Sequence, residues 1–129
     1  NERLYGEVLP SAAERALDAG ESVIVDATFL RRGDRQRFQR LAQRCAARFR
    51  ILDCRVDVQE ASARIERRQR QGIDPSEADL GVLRAQWDQR EPLSAEEMAH
   101  AIVVDRNSDL SDGAWQALLA QLQEASATD

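Results

Sequence analysis

Three short apolar runs, separated by stretches with helical periodicity, limit the fold of this chain more than any other feature. The runs lie in "SVIVD", "FRILDCRV" and "HAIVVD", at residues 22–26, 49–56 and 100–105. Short strands that are apolar and alternate with helices are typical of parallel sheets whose two faces are both buried. The pattern therefore predicts a layered α/β fold, in which ligands bind at the carboxyl ends of the strands.

The segments between the strands carry signals for the start and the end of helices. "SAAERALDAG" (11–20) and "DVQEASARIERRQRQG" (57–72) each begin with capping-box spacing and end on a glycine. Pro10 predicts a break between the first of these helices and the residues before it. Further helices are expected, in chain order, over residues 34–49, from near residue 76 to 90, at 94–99 and over 111–125.

Composition and charge exclude several classes of protein. The 129 residues fit one domain, and the apolar runs are too short to span a bilayer. The net charge of −5 argues against a general nucleic-acid binder. Cys45 and Cys54 show neither a disulfide framework nor the spacing of metal ligands, which favours small buried thiols in a reducing cytoplasm. All 18 basic residues are arginine.

Asp26 and Thr28 directly follow the first apolar run. An apolar strand that ends in Asp is the usual form of a Walker B element, whose carboxylate holds Mg²⁺ directly or through water. A hydroxyl two residues further on could join the same network. Asp and Thr also favour turns and helix caps, so a purely local role for both residues remains open.

Arg64, Arg67 and Arg68 lie close together in the predicted helix at 57–72. Like charges at this spacing repel by about 0.2–0.5 kcal/mol per pair, and a bound polyphosphate would turn that repulsion into attraction. The alternative is a solvated helix face whose charge is relieved by nearby Glu60 and Glu66. The "GIDPSEAD" corner that follows suits a movable flap, and it suits a rigid helix hairpin equally well.

Taken together, "VIVDATFLRRGDRQRF", "ARIERRQRQGIDPSEADLGVLRAQ" and "AIVVD" resemble a family of small P-loop kinases. This is the predicted-kinase, ATP-binding AAA type, related to gluconate kinase, zeta toxin and polynucleotide kinase, and sometimes fused to an aminoglycoside-phosphotransferase-like domain. The resemblance runs from about Leu4 to Asp105. It implies a three-layer parallel sheet of the P-loop kinase type, and phosphoryl transfer from ATP and Mg²⁺ to a hydroxyl acceptor.

The resemblance also implies roles for the residues that follow the first predicted strand. Asp26 matches the Walker-B-like carboxylate, which contacts Mg²⁺ through water close to the γ-phosphate. Thr28 and Arg35 match the "DAT…R" segment, which faces the phosphoryl acceptor or supports the site. On this basis Arg35 is a candidate catalytic residue and Thr28 a candidate cofactor-binding residue.

Further roles implied by the resemblance fall on the later segments. Arg64 and Arg68 match lid arginines that stabilise charge on the transferring phosphoryl group, and Arg67 beside them is a candidate nucleotide-binding residue. Asp105 and Asn107 lie where related kinases hold the adenine ring. ATP and Mg²⁺ are therefore the expected cofactors.

The chain also departs from the pattern of the family. A P-loop kinase needs G-x-x-x-x-G-K-[ST], and these residues contain no lysine and no such loop. In the family, that loop follows a strand that lies between those predicted at 22–26 and 50–54. We therefore expect residues 1–129 to be the C-terminal part of a single P-loop kinase-like domain, inactive alone, with a helical lid around 57–90.

These expectations define the predicted partners and one alternative. The partners are a nucleotide, a small-molecule acceptor, and a missing N-terminal segment or another domain of the same protein. No membrane is expected, nucleic acid is disfavoured, and the location is cytoplasmic. The alternative is a non-catalytic module, derived from a kinase fold, that binds a nucleotide or another protein.

Overall fold

The computed structural model describes residues 2–72, 79–105, 107–108 and 111–124. In these ranges the chain begins with a π-helical turn and continues through an α/β arrangement. The elements are the π-helical turn Leu4–Val8, helices α1 (Leu9–Asp18) and α2 (Arg32–Arg44), strand β1 (Ile51–Cys54), helices α3 (Val58–Arg70), α4 (Asp79–Gln89) and α5 (Ala95–Met98), strand β2 (Ala101–Val104) and helix α6 (Asp112–Glu124).

The two strands form a parallel sheet. β1 pairs with β2 in a register that places Ile51 opposite Ala101 and Cys54 opposite Val104. This confirms two of the predicted strands and their parallel direction, although both are shorter than expected. Cys54 is exposed, so its prediction as a buried thiol was wrong.

The first predicted strand, at residues 22–26, does not form in the described structure. The segment is not part of the sheet. Val23 and Val25 pack against the core, whereas the side chain between them, Ile24, is 89% exposed. A strand needs a neighbour that binds its backbone N–H and C=O groups, and the described residues place none beside this segment. The described sheet therefore has two strands instead of three.

The core lies between α1 and α2. Phe38 and Leu41 are buried on one side of α2, at the spacing that brings them to the same helix face, and they join Ala13 of α1. Apolar residues from several elements cover this cluster, namely Tyr5, Leu9, Val23, Val25, Phe29, Cys45 and Phe49. The core therefore connects the N-terminal helices to the segment that contains Asp26.

The break predicted at Pro10 is absent. The chain stays helical there because the π-helical turn changes the hydrogen-bond pattern: the N–H of Leu9 donates to the carbonyl of Leu4, five residues earlier. Pro10 is the second residue of α1, which directly follows this turn. The wider turn before it also relieves the contact that a proline ring makes with the carbonyl four residues back.

α2 ends at Arg44, five residues before the predicted end. Ala46 adopts a left-handed conformation with φ 53°. The N–H of Ala47 then donates to the carbonyl of Ala42 at 2.8 Å, and that of Ala46 donates to Gln43 at 3.2 Å. This pair of bonds is a Schellman motif, which ends a helix by satisfying its last carbonyl groups.

α3 begins and ends where the sequence predicts. The Oδ1 atom of Asp57 accepts the N–H of Glu60 at 2.6 Å, and Gly72 beyond its end has φ 65°. α3 packs against α4, the second helix of the predicted lid. The expected start of that helix near Ser76 and its burial of Leu80 and Leu83 lie outside what the structure describes.

α6 places an apolar stripe toward β2, but much of the stripe stays accessible. Trp115 is 42% and Leu119 49% exposed. Among the described helices, none combines the length and the apolar character required to cross a lipid bilayer.

Candidate functional site

The turn that follows residues 22–26 brings Asp26 and Thr28 to the surface. The Asp26 side chain is exposed, and no hydrogen bond or ion pair joins it to another described residue. The hydroxyl of Thr28 lies 2.8 Å from the hydroxyl of Tyr5. The same Tyr5 oxygen accepts the N–H of Phe29 at 3.3 Å. Residues 26–29 are called the Asp26–Phe29 turn below.

Phe29 has an unusual backbone conformation. Its φ of 44° lies in the left-handed region, which side chains with a Cβ rarely adopt. Its ring makes edge-to-face contacts with Tyr5 at 5.3 Å and with Phe38 at 5.2 Å between ring centres. The conformation is therefore held by packing on both sides of the ring.

Arg35, predicted as catalytic, lies in the interior. Its side chain is 6% exposed and pairs with Glu97, through Nε at 2.6 Å and Nη2 at 3.1 Å. Nη1 donates to the carbonyl of Phe29 at 2.8 Å, and Nη2 donates to that of Pro92 at 3.3 Å. The guanidinium group thus joins α2, α5 and the Asp26–Phe29 turn.

Glu97 belongs to the capping box of α5. Its Oε1 accepts the N–H of Ser94, and the hydroxyl of Ser94 accepts the N–H of Glu97, both at 3.1 Å. The hydrogen bond from Arg35 lowers the pKa of Glu97, against the opposing effect of burial, and the Ser94 N–H lowers it further. The carboxylate is therefore kept ionised in the interior.

The arginines of α3 lie on a different part of the molecule. Arg64 donates to Glu60 at 2.7 Å along its own helix, while Arg67 and Arg68 are exposed. Among the described residues, no hydrogen bond or ion pair joins these three side chains to Asp26. The structure thus places them on one accessible helix but does not bring them to the Asp26–Phe29 turn.

Asp105 and Asn107 form a turn after β2. The N–H of Asn107 donates to the Asp105 carboxylate at 2.8 Å, and the N–H of Asp105 donates to the hydroxyl of Ser108 at 2.9 Å. The turn borders an apolar groove of about 290 Å³ between β2 and α6, lined by Ser108, Trp115 and Leu118 among others. Asp105 therefore shapes the end of β2 beside an open groove.

The described residues contain no group of three or more His, Cys, Asp or Glu side chains that could hold a metal ion by themselves. Mg²⁺ does not need such a group, because it usually keeps several waters and takes one or two carboxylates with substrate phosphates. A single exposed carboxylate such as Asp26 fits that mode of binding.

Sequence reasoning missed three members of this region: Tyr5, Phe29 and Glu97. The contact of Tyr5 with Thr28 spans 23 residues and that of Glu97 with Arg35 spans 62, and local patterns do not reveal contacts at that distance. The contact of Phe29 with Arg35 spans only 6 residues, but it depends on the backbone conformation of the turn. Ser94 and Glu97 do have capping-box spacing, which was a usable signal for the local role of Glu97. Nothing local marks its pairing with Arg35.

These features together define a class of protein. A parallel α/β chain with an exposed Asp after an apolar segment, and with an arginine-rich helix, has parts expected of a kinase-like nucleotide-binding domain. A family model described as an AAA domain matches residues 1–93. The chain therefore belongs to this AAA domain family, which is of the P-loop NTPase and kinase-like type. No curated protein and no solved structure matches the chain significantly.

Proposed function

We propose that this chain is part of a cytoplasmic, ATP-dependent kinase that transfers a phosphoryl group from ATP and Mg²⁺ to a hydroxyl group of a small molecule. The observation that carries the proposal is the exposed Asp26 carboxylate, which lies inside the family match and has no partner among the described residues. Family membership supports nucleotide binding. The 129 residues are inactive by themselves in this proposal, because they lack the phosphate-binding loop and its lysine.

Asp26 contacts Mg²⁺ through a water molecule in this proposal. The metal, when bound, neutralises charge on the β- and γ-phosphates. The Asp26 side chain is exposed, so it can enter the coordination sphere without first losing an ion pair. The Thr28 hydroxyl lies on the same turn and can accept or donate one hydrogen bond beside the metal.

Arg64, Arg67 and Arg68 act as lid residues around a nucleotide in this proposal. Their guanidinium groups can bind phosphate oxygens in a fork. The pair between Arg64 and Glu60 is half-exposed, and such surface pairs contribute only about 0–1 kcal/mol. Exchange of Glu60 for a phosphate therefore costs little. Residues 57–90, which include α3 and α4, form the lid.

Asp105 and Asn107 are proposed to border the adenine ring. Support comes from the apolar groove beside their turn, whose 290 Å³ can accommodate a flat aromatic ring. Ser108 lines the groove and supplies a polar group at its end. Pockets of this type, mostly apolar with a few polar groups, are typical of small-ligand sites.

The missing phosphate loop is proposed to come from another part of the same protein, together with a strand between residues 22–26 and β1. The amides of Ile51 and Arg55 donate to the carbonyls of His100 and Val104, so the residues between them that alternate with these direct their backbone groups to the opposite edge of β1. Residues 22–26 likewise have no strand partner in the described structure. A strand between them would satisfy both sets of groups, and the rest of the missing segment would cover Ile24, whose side chain would project from a face of the completed sheet.

The test is ATP hydrolysis and phosphoryl transfer by the full-length protein with Asp26→Asn. We expect a fall in kcat of about 100-fold or more, since the metal loses its carboxylate. Asp18→Asn, which changes another exposed aspartate, is the matched control and should leave kcat unchanged. Both variants should keep the wild-type free energy of unfolding. A near-normal kcat for Asp26→Asn would contradict the proposal, and ATP binding without Asp26-dependent turnover would favour a non-catalytic module.

A further inference from the structure

Phe29 requires an explanation that its neighbours in sequence do not give. Only two non-glycine residues in the described structure have positive φ, Phe29 and Ala46. Ala46 lies at the end of α2, where a left-handed residue is common. Phe29 lies in no helix end, and an aromatic residue in this conformation costs free energy that the surroundings must offset.

The surroundings fix every part of Phe29. Its N–H donates to the hydroxyl of Tyr5, and its carbonyl accepts from Arg35. Its ring lies between those of Tyr5 and Phe38. Arg35 is in turn held by the buried Glu97. These five residues, Tyr5, Phe29, Arg35, Phe38 and Glu97, are called the Phe29 network.

We propose that Tyr5 and Arg35 are positioning residues, which hold Thr28 and Asp26 in the orientation required for binding Mg²⁺ and ATP. This inference rests on the proposed function. A single Tyr5 oxygen contacts both the hydroxyl of Thr28 and the N–H of Phe29. Arg35 fixes the carbonyl of Phe29 at the other side of the residue. The turn that carries Asp26 is thereby held from its carboxyl end.

The hydrogen bonds that Arg35 already makes disfavour its direct binding to a phosphate. Four of the five N–H groups of a guanidinium are used by Glu97, Phe29 and Pro92. The side chain is 6% exposed, so a phosphate would have to displace Glu97 within the interior. Arg35 therefore acts through Phe29 instead of on the reacting groups.

Tyr5→Phe tests the proposal with little disturbance of the fold. The substitution keeps the aromatic ring between its neighbours and removes only the hydroxyl. Glu7→Gln is the matched control on the same N-terminal helix, because Glu7 makes only an exposed pair with Arg3. Arg35→Lys is a second variant, which keeps a positive charge near Glu97 but loses the hydrogen bond from Nη1 to the Phe29 carbonyl.

The first measurement is amide hydrogen exchange in the 129-residue chain. We expect exchange of the Phe29 amide to accelerate about fivefold to tenfold in Tyr5→Phe, the effect of one lost hydrogen bond, while β2 amides keep their rates. Unchanged exchange at Phe29 would overturn the proposal. Equal acceleration across the whole chain would also overturn it, since the hydroxyl would then serve general stability alone.

The second measurement is ATP turnover by the full-length protein. Tyr5→Phe and Arg35→Lys should lower kcat about tenfold or more with little change in KM, because a small displacement of an aligned group slows the reaction strongly. If Asp26→Asn abolishes turnover and Tyr5→Phe does not alter it, the positioning role is wrong and the proposed function stands. If turnover does not depend on Asp26, the proposed function fails, and hydrogen exchange alone decides whether Tyr5 holds the turn.

Discussion

The ion pair between Arg35 and Glu97 brings two opposite charges into the interior, where the side chains are 6% and 5% exposed. Removing both charges from water is costly, and their attraction repays that cost only when other hydrogen bonds complete the site. Here Phe29, Pro92 and Ser94 supply those bonds. The pair therefore connects α2 to α5 and tolerates no loss of one partner.

Glu97→Gln should lower the free energy of unfolding by about 3–5 kcal/mol at pH 7, because it leaves Arg35 buried without its carboxylate. The matched control, Glu60→Gln, breaks a half-exposed pair with Arg64 and should cost at most about 1 kcal/mol. Denaturant unfolding of both variants measures the difference. Equal effects would show that burial of the pair has no energetic consequence.

The pH dependence of the stability of Glu97→Gln tests whether the ionised carboxylate of Glu97 is the cause of this loss. Arg35 lowers the pKa of Glu97 from its ordinary value of 4.5. The ionised Glu97 carboxylate therefore contributes its full stabilisation above pH 4.5, and this stabilisation is lost as the pH falls through the pKa of Glu97 in the folded state. The difference in the free energy of unfolding between wild type and Glu97→Gln should therefore become smaller as the solution is acidified below pH 4.5. A gap of constant size would contradict the role of the ionised carboxylate.

Asp26 and Thr28 stand out in the sequence because the signal is local: an apolar run ends in residues that do not suit the interior of a protein. Arg35 was also selected from sequence, but its surroundings could not be read there. Its partner Glu97 lies 62 residues away. The sequence around an arginine looks the same whether its guanidinium group contacts a phosphate or a buried carboxylate. Whether Asp26 contacts a metal stays a prediction.

At the scale of elements, the ends of helices were predicted where glycine occupies the left-handed position. Gly20 and Gly72 have φ 83° and 65° beyond α1 and α3. α2 ends with the same left-handed geometry at Ala46, but an alanine in the sequence does not predict the end of a helix. The sequence therefore predicted a helix that continued to residue 49. The strand predicted at residues 22–26 does not form among the described residues for another reason, since strand formation depends on a neighbour that local composition cannot supply.

Ala46→Gly should stabilise the chain by about 1 kcal/mol, because glycine adopts the left-handed conformation without the steric cost that a Cβ imposes. The gain depends on the positive φ of this one position. Ala47→Gly, one residue further along, is the matched control and should be neutral or destabilising. Thermal or denaturant unfolding measures both variants. Destabilisation by Ala46→Gly would contradict the left-handed end of α2.

At the scale of the whole molecule, the described chain covers its apolar groups sparsely. Large apolar side chains are exposed on the segment at 22–26, on β1 and on β2, as for Ile24, Leu52 and Val103. The exposure of Ile24 agrees with the proposal that a missing segment completes the sheet beside residues 22–26. Leu52 and Val103 lie on opposite faces of the sheet, which a strand added at its edge does not cover.

Ile24→Ser tests that proposal. In the 129-residue chain it should change the free energy of unfolding by no more than about 0.5 kcal/mol, because the side chain is 89% exposed. In the full-length protein it should cost about 2 kcal/mol or more, as expected for a buried apolar residue. Val25→Ser, which affects the core in both contexts, is the control. An equally small effect of Ile24→Ser in both chains would contradict the proposal that a missing segment covers Ile24.

The Arg35–Glu97 pair also limits where the chain can be truncated at its C-terminal side. The family match ends at residue 93, while Glu97 lies four residues beyond it and belongs to the same interior as α2. A truncation placed at the end of the match would delete the carboxylate and retain the guanidinium. The physical unit of this fold thus extends past the region that sequence comparison recognises, and an expression boundary belongs after β2.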